Sequence, residues 1–326
     1  MKSVSLWLAA ILLAVLARGA RAESVSVDGS IPSYKPVSGM SGRLSSVGSD
    51  SMNNLMTLWA EGFKKIYPNV VIEIEGKGSA TAPPALIAGT AQLGPMSRPM
   101  KQSEIDAFEK KHGFNYQVLG VRVAVDALAV FVHKDNPIKS LSLQEVDAIF
   151  SANRLGGYKE DLDTWGKLGL TGDFAQRPIS LYGRNSASGT YGFFKEHALN
   201  KGDFKAIVKE QPGSAGVVQG VTSDSYGIGY SGIGYVTAGV KALPIAKKQG
   251  SKAVEPTQEN AYSGQYPMSR YLYIYVDHKP GESSEPLTAE FIKYVLSKEG
   301  QDIVVKDGYF PLPGKIDADE SKKFKK

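Results

Sequence analysis

Arg184, Ser188, Gly189 and Thr190 lie within one short stretch, Tyr182-Gly183-Arg184-Asn185-Ser186-Ala187-Ser188-Gly189-Thr190-Tyr191, and set a fixed cation just ahead of two hydroxyls and a glycine. The apolar run Ile179-Ser180-Leu181-Tyr182 before it reads as a strand, and Gly192 to Leu199 after it reads as a helix. The stretch is therefore a strand-to-helix turn. The first N–H groups of a helix lack partners within it, and the helix dipole is positive at that end. Hydroxyls, a glycine and a guanidinium at such a place suit a bound tetrahedral oxyanion. Taken alone, the stretch is better explained by Ser188 as a helix cap and Arg184 as a surface charge.

Three more turns of the same kind change that balance. Gly48-Ser49-Asp50-Ser51 follows a strand and opens a helix. Gly76-Lys77-Gly78-Ser79-Ala80-Thr81 does so again, and Ser97-Arg98-Pro99 ends a third short strand. The second of these is not a nucleotide-binding loop, because no earlier glycine has the required spacing and Lys77 is not followed by Ser or Thr. Four hydroxyl-rich turns with one arginine can bind an anion through N–H and O–H donors without a metal. Signals for catalysis are weak. His112, His133, His197 and His278 are scattered without ligand spacing, no G-x-S-x-G elbow occurs, and no cofactor or metal is expected. Gly227, Gly229 and Gly232 match G-x-G-x-x-G, but no helix is expected to open there, so a dinucleotide site is rejected.

The elements that must position these turns alternate between strand and helix, which predicts an α/β fold with ligands at strand C-termini. Residues 23–43 read as irregular, followed by a strand to Gly48. A helix to Tyr67 carries Met52, Leu55, Met56, Trp59, Phe63 and Ile66 on one face, with Ser49 or Asp50 as its cap. Pro83 and Pro84 fall in the first turn of a helix through Ala88, and Ser103 with Asp106 predicts a cap for the next. The run Val121–His133 is nearly all apolar but holds Asp126, a carboxylate that needs a partner if buried; Arg184 is the expected one. Ser142 and Glu145 cap a helix through Phe150, and another helix is expected over Gln211–Val221. An aromatic strand Arg270–Val276 precedes a helix from Pro286 to Lys298, ended by Gly300. The last ordered element is expected to reach Pro313, leaving the basic tail 321–326 solvated and disordered.

Residues 1–22 read as a secretory signal peptide, with Lys2, an apolar run from Leu6 to Leu16 too short to span a membrane, and Ala20-Arg21-Ala22 as the cleavage site. Removal leaves 35 basic residues (38 less Lys2, Arg18 and Arg21) against 33 acidic ones, a balance that carries no nucleic-acid footprint. With no cysteine, neither a disulfide nor a lipidated N-terminal cysteine is possible. About 300 mature residues suit two α/β domains.

The ordered series Gly48-Ser49-Asp50-Ser51, Gly78-Ser79, Gly94-Pro95-Met96-Ser97-Arg98-Pro99, Val125 to Val130, Lys134-Asp135-Asn136-Pro137 and Arg184 to Thr190 resembles the periplasmic phosphate-binding proteins of ABC phosphate importers. The resemblance runs from about Gly42 to Pro313. It implies a type II periplasmic-binding-protein fold: a first lobe of residues 23–127 plus 267–326, a second of 128–266, and two hinge crossings near 127–130 and 266–270. It implies a monomeric periplasmic receptor, not an enzyme, that carries inorganic phosphate to membrane permease subunits. Carried over by position, the ligand residues are Ser49, Asp50, Ser51, Ser79, Ser97, Arg184, Ser188, Gly189 and Thr190, with Asp126 and Arg98 supporting. Ser97 stands where familiar members have an aspartate, so Asp50 is the expected acceptor for the proton that phosphate keeps and sulfate lacks. The alternatives are a receptor for sulfate or molybdate, and a secreted phosphatase or adhesion protein on the same scaffold.

Overall fold

The computed structural model describes residues 25–113, 117–278 and 285–324; the signal segment and the last two residues of the tail lie outside them. Among the described residues eleven strands run in chain order as β1 (Gly42–Val47), β2 (Val70–Glu75), β3 (Gly94–Met96), β4 (Gln117–His133), β5 (Leu141–Ser142), β6 (Ser180–Arg184), β7 (Lys209–Gln211), β8 (Gly227–Gly232), β9 (Val240–Ala242), β10 (Ile245–Ala246) and β11 (Ser269–His278). The α-helices are α1 (Asn53–Ile66), α2 (Ala82–Ile87), α3 (Gln102–His112), α4 (Leu143–Phe150), α5 (Gly189–His197), α6 (Ser214–Thr222), α7 (Gln258–Tyr262), α8 (Pro286–Val295), α9 (Lys298–Lys306) and α10 (Gly314–Lys322). None of the described helices is long and apolar enough to cross a membrane.

Strand β4 organises the chain. Of its 17 residues those from Val123 to Val132 are all buried, as the nearly continuous apolar run, interrupted there only by Asp126, predicts. Its first part pairs antiparallel with β11, ending at Ala127 opposite Ser269. From Leu128 it pairs instead with β8, and from Phe131 also with β9. One strand thus belongs to two differently paired regions, and the sheet order is β3-β11-β4-β8-β6-β7. Strands β6, β7 and β8 are mutually parallel, with α5 and α6 in the crossovers.

Each region has its own aromatic packing. Leu55, Met56, Trp59 and Phe63 of α1 are fully buried, as the helical spacing predicts. Trp59 Nε1 donates to Gly300 O at 2.8 Å, and Phe63 meets Phe291 edge-on at 5.4 Å. Beyond the change of partners, Phe194 stacks on Tyr230 at 3.9 Å and Phe150 stands edge-on to both. Burying each such side chain contributes about 1.5–3 kcal/mol.

Several local expectations are corrected. Ser49 makes no side-chain cap bond; a short 3-10 turn, Asp50–Met52, intervenes and α1 begins after Met52. Ser103 is not the cap of α3, whose start is set by Glu104 Oε2 accepting the Lys101 N–H at 2.7 Å. The helix expected over Gln211–Val221 starts at Ser214, because Lys209–Gln211 pairs as β7. Gly300 ends nothing. It lies inside α9, where a Cβ would collide with the Tyr294 and Val295 carbonyls, so it permits the tight α8–α9 corner. The chain also continues past Pro313 as α10, where Lys323 Nζ donates to Gly120 O and Phe324 is buried, so the tail is docked as far as it is described.

Candidate functional site

The turn after β6 forms as its sequence predicts. Ser188 has extended backbone, and its Oγ accepts from Thr190 N at 3.1 Å and Tyr191 N at 3.3 Å, capping α5. Thr190 points from the first turn, fully buried. Its Oγ1 lies 2.8 Å from Ser51 Oγ, which the turn after β1 supplies. Ser79, at the turn after β2, and Ser97, after β3, meet at 3.3 Å between hydroxyls, and Ser97 N donates to Ser79 Oγ at 3.0 Å. A Cβ on Gly189 would collide with Ser79 Oγ and lie 2.7 Å from Ser97 Oγ, so the start of α5 faces both hydroxyls. All four hydroxyl-rich turns therefore converge.

Gly78 shows how closely they do so. Its φ of 120° is one that glycine tolerates, and a Cβ there would stand 2.5 Å from Ala187 O. Ala80 N donates to that same carbonyl at 3.1 Å. Contacts of this kind join the turns of the β1–β3 region to the segment that β4 leads into.

Arg184, 1% exposed, ends β6 in the middle of this assembly. Its Nη1 donates to Ser214 Oγ at 2.7 Å and weakly to Ser51 Oγ at 3.5 Å, while Nη2 donates to Pro212 O at 3.1 Å. Asp50 Oδ2 stands 3.1 Å from Nη2 and also accepts the Ser214 N–H at 2.7 Å. Burial pulls the Arg184 pKa down and Asp50 opposes it, leaving a desolvated cation beside a single carboxylate. Its Nε is buried with no protein partner, a donor free for an acceptor brought from outside.

The expected pairing of Asp126 with Arg184 is wrong. Asp126, fully buried, lies directly across the β4–β11 ladder from Arg270, and Arg270 Nε donates to its Oδ2 at 2.8 Å. Asp126 Oδ1 accepts the Ile233 N–H at 3.0 Å. The reason is register: a strand neighbour in a non-contiguous element outcompetes a residue chosen for its charge alone. Arg98 lies apart from the Arg184 cluster, held by Glu104 through two bonds of 2.7 and 2.8 Å and by Pro99 O. The arrangement also contains Ser214, Arg270, Tyr235 and Tyr309, none of which was singled out from sequence. Tyr235 and Tyr309 donate to the carbonyls of Asp50 and Ser51 at 3.0 and 2.8 Å. A serine opening a helix after Gly213, and an arginine just ahead of the aromatic run Tyr271–Tyr275, were the signals available. Among the described residues no group of three or more His, Cys, Asp or Glu side chains is placed to hold a metal.

Residues 34–299 match the model of the PBP superfamily domain. The chain is 59% identical over 309 residues to the phosphate-binding protein PstS of Pseudomonas aeruginosa, covering 95% of each. It is 30% identical to the protein of the same name from Staphylococcus haemolyticus, covering 88% of this chain and 86% of that one. Among solved structures, a Clostridium perfringens protein described as a phosphate ABC transporter substrate-binding protein, with phosphate bound, superimposes with a TM-score of 0.69 at 28% identity, over 83% of this chain and all of that one. An ABC-type phosphate transport receptor from Vibrio cholerae shares the fold, with a TM-score of 0.63 at 23% identity over 83% of this chain and all of that one.

Proposed function

The chain belongs to the PBP superfamily, among the phosphate-binding proteins PstS, and from that membership we propose that it is an exported receptor that holds inorganic phosphate and hands it to the permease of an ABC importer. The observation that carries this reading is the desolvated Arg184: its Nε is buried without a protein partner, and its Nη1 reaches the Ser214 and Ser51 hydroxyls, the second of which meets Thr190 Oγ1. Each charge-assisted hydrogen bond in such a place returns about 1.5–3 kcal/mol. Donors converging from both sides of the β4 crossing would bind a dianion and hold the two sides together.

In this reading the ligand residues are Ser49, Asp50, Ser51, Ser79, Ser97, Arg184, Ser188, Gly189 and Thr190. The lobes are residues 23–127 with 267–326, and 128–266, in keeping with the change of β4's partners after Ala127. Signal cleavage near Ala22 would release the mature chain as a monomer to the periplasm. The protein acts as a carrier and not as a phosphatase: Ser188 Oγ is occupied as a helix cap, accepting two N–H groups. Equilibrium binding of radiolabelled phosphate, with sulfate and molybdate as competitors, is the test. Saturable binding well below millimolar is expected, and its absence would overturn the assignment.

A further inference from the structure

Arg270 is 6% exposed and spends its guanidinium on three different parts of the chain. Nε bonds Asp126 on β4, Nη1 donates to the Ser97 carbonyl at 2.8 Å, and Nη2 donates to Thr190 Oγ1 at 2.9 Å. The Phe193 ring lies 5.3 Å from its Cζ. Thr190 and Phe193 are three residues apart on α5 and so share one face, and that face is what Arg270 meets. Arg270 itself pairs with Asp126 one step before the last β4–β11 pair. It is thus rooted at the point where β4 changes partners and reaches to the helix that opens the anion site.

The bond to Thr190 has a direction. A guanidinium only donates, so Thr190 Oγ1 must accept there and turn its own proton elsewhere. Ser214 Oγ is in the same position with respect to Arg184 Nη1. The two hydroxyls flank Ser51 Oγ, at 2.8 and 3.4 Å. Two arginines thereby orient the hydroxyl cluster as donors, and only one of them lies in the sequence motif.

We infer that Arg270 is a positioning residue of the anion site: it aims the Thr190 hydroxyl at the ligand and couples ligand capture to seating of α5 against the β4–β11 crossing. The inference rests on the phosphate reading. Opening the molecule by moving the segment after Ala127 would draw Thr190 and Phe193 away from Arg270 while leaving the Asp126 pair, within one ladder, in place. The Arg270–Thr190 bond therefore belongs to the ligand-holding arrangement.

A double-mutant cycle tests this, with phosphate affinity by calorimetry and unfolding temperature without phosphate both measured. Thr190→Val and Arg270→Gln are each expected to weaken phosphate binding about tenfold or more, the loss of one charge-assisted bond. Together they should weaken it no more than Thr190→Val alone does, because Arg270 acts on the ligand only through the Thr190 hydroxyl. Arg270→Lys, which keeps a cation near Asp126 but loses the fork, should fold and still bind weakly. Losses that simply multiply in the double variant, or an unfolding temperature that falls while affinity holds, would reduce Arg270 to a structural pair for Asp126 and overturn the inference. Wild-type protein that binds no phosphate would overturn the receptor reading itself. Wild-type binding with an equally tight Arg270→Lys variant would overturn only the role of Arg270.

Discussion

Asp50 Oδ2 accepts the backbone N–H of Ser214 at the first residue of α6 and stands 3.1 Å from Arg184 Nη2. One carboxylate thus caps a helix from the opposite side of the β4 crossing and pairs the buried cation of the anion site. It was expected either to cap its own helix or to accept the ligand's proton. The first is excluded because Asp50 opens a 3-10 turn that runs to Met52, ahead of α1. The second concerns only Oδ1, because Oδ2 already has two partners.

Asp50→Asn is therefore expected to weaken phosphate binding by removing the counter-charge of Arg184. If Oδ1 also takes the ligand's proton, sulfate should lose less than phosphate and the gap between them should narrow. A competition series with both anions reads this directly, and an unchanged ratio assigns Asp50 to Arg184 and α6 alone.

Arg184→Ala removes a donor and leaves Asp50 Oδ2 with one N–H for company. Binding should fall by several kcal/mol, since breaking a buried pair costs about 3–5 kcal/mol. Arg184→Lys keeps the charge but cannot reach Ser214, Pro212 and Asp50 with one planar fork, so it too should bind poorly. Calorimetric titration of both variants checks this.

Gly189→Ala should weaken phosphate binding at least tenfold, because the new methyl meets Ser79 Oγ and Ser97 Oγ and overpacking costs about 1–3 kcal/mol. The clash arises only where α5 seats against the other turns. The unfolding temperature without phosphate should change little, and the rise on adding phosphate should shrink.

Phosphate should also shrink the molecule. The bonds Ser51–Thr190, Ala80–Ala187, Ser214–Asp50 and Tyr235–Asp50 cross between the two regions, whereas the β4–β11 and β4–β8 ladders lie within them. Small-angle scattering is expected to give a smaller radius of gyration with phosphate than without, as hinge closure requires. Equal radii would mark the site as rigid.

Asp317 on α10 supplies a pH dependence away from the site. Burial, then the nearby Glu320 and Asp28 carboxylates, push it up from 3.8 to about 7. A carboxyl with a raised folded value binds its proton more tightly when folded. Its cost is absent below about pH 4, grows as pH rises and is complete above about 7. Asp317→Asn should therefore leave the unfolding temperature nearly unchanged at pH 4 and raise it at pH 8. A constant difference across that range would show that Asp317 does not titrate as placed.

Much of this molecule is decided within a few residues of chain. The Ser188 cap, the Ser142–Glu145 capping box, the prolines that open α2 and the buried stripe of α1 depend on groups within about one helical turn of each other, and each forms where its spacing requires. The four hydroxyl-rich turns and the α/β order were legible for the same reason. Pairings of charge were not. Asp126 and Arg270 are 144 positions apart, Asp50 and Ser214 are 164, and no local pattern states which arginine a buried carboxylate will meet. That choice falls to strand register. The β4–β11 ladder sets Arg270 opposite Asp126, while the approach of the turn after β1 to the start of α6 delivers Asp50 to Arg184. Only the folded chain brings these groups together, because desolvation makes an unpaired buried charge too costly to keep and the nearest partner in space, not in sequence, relieves it.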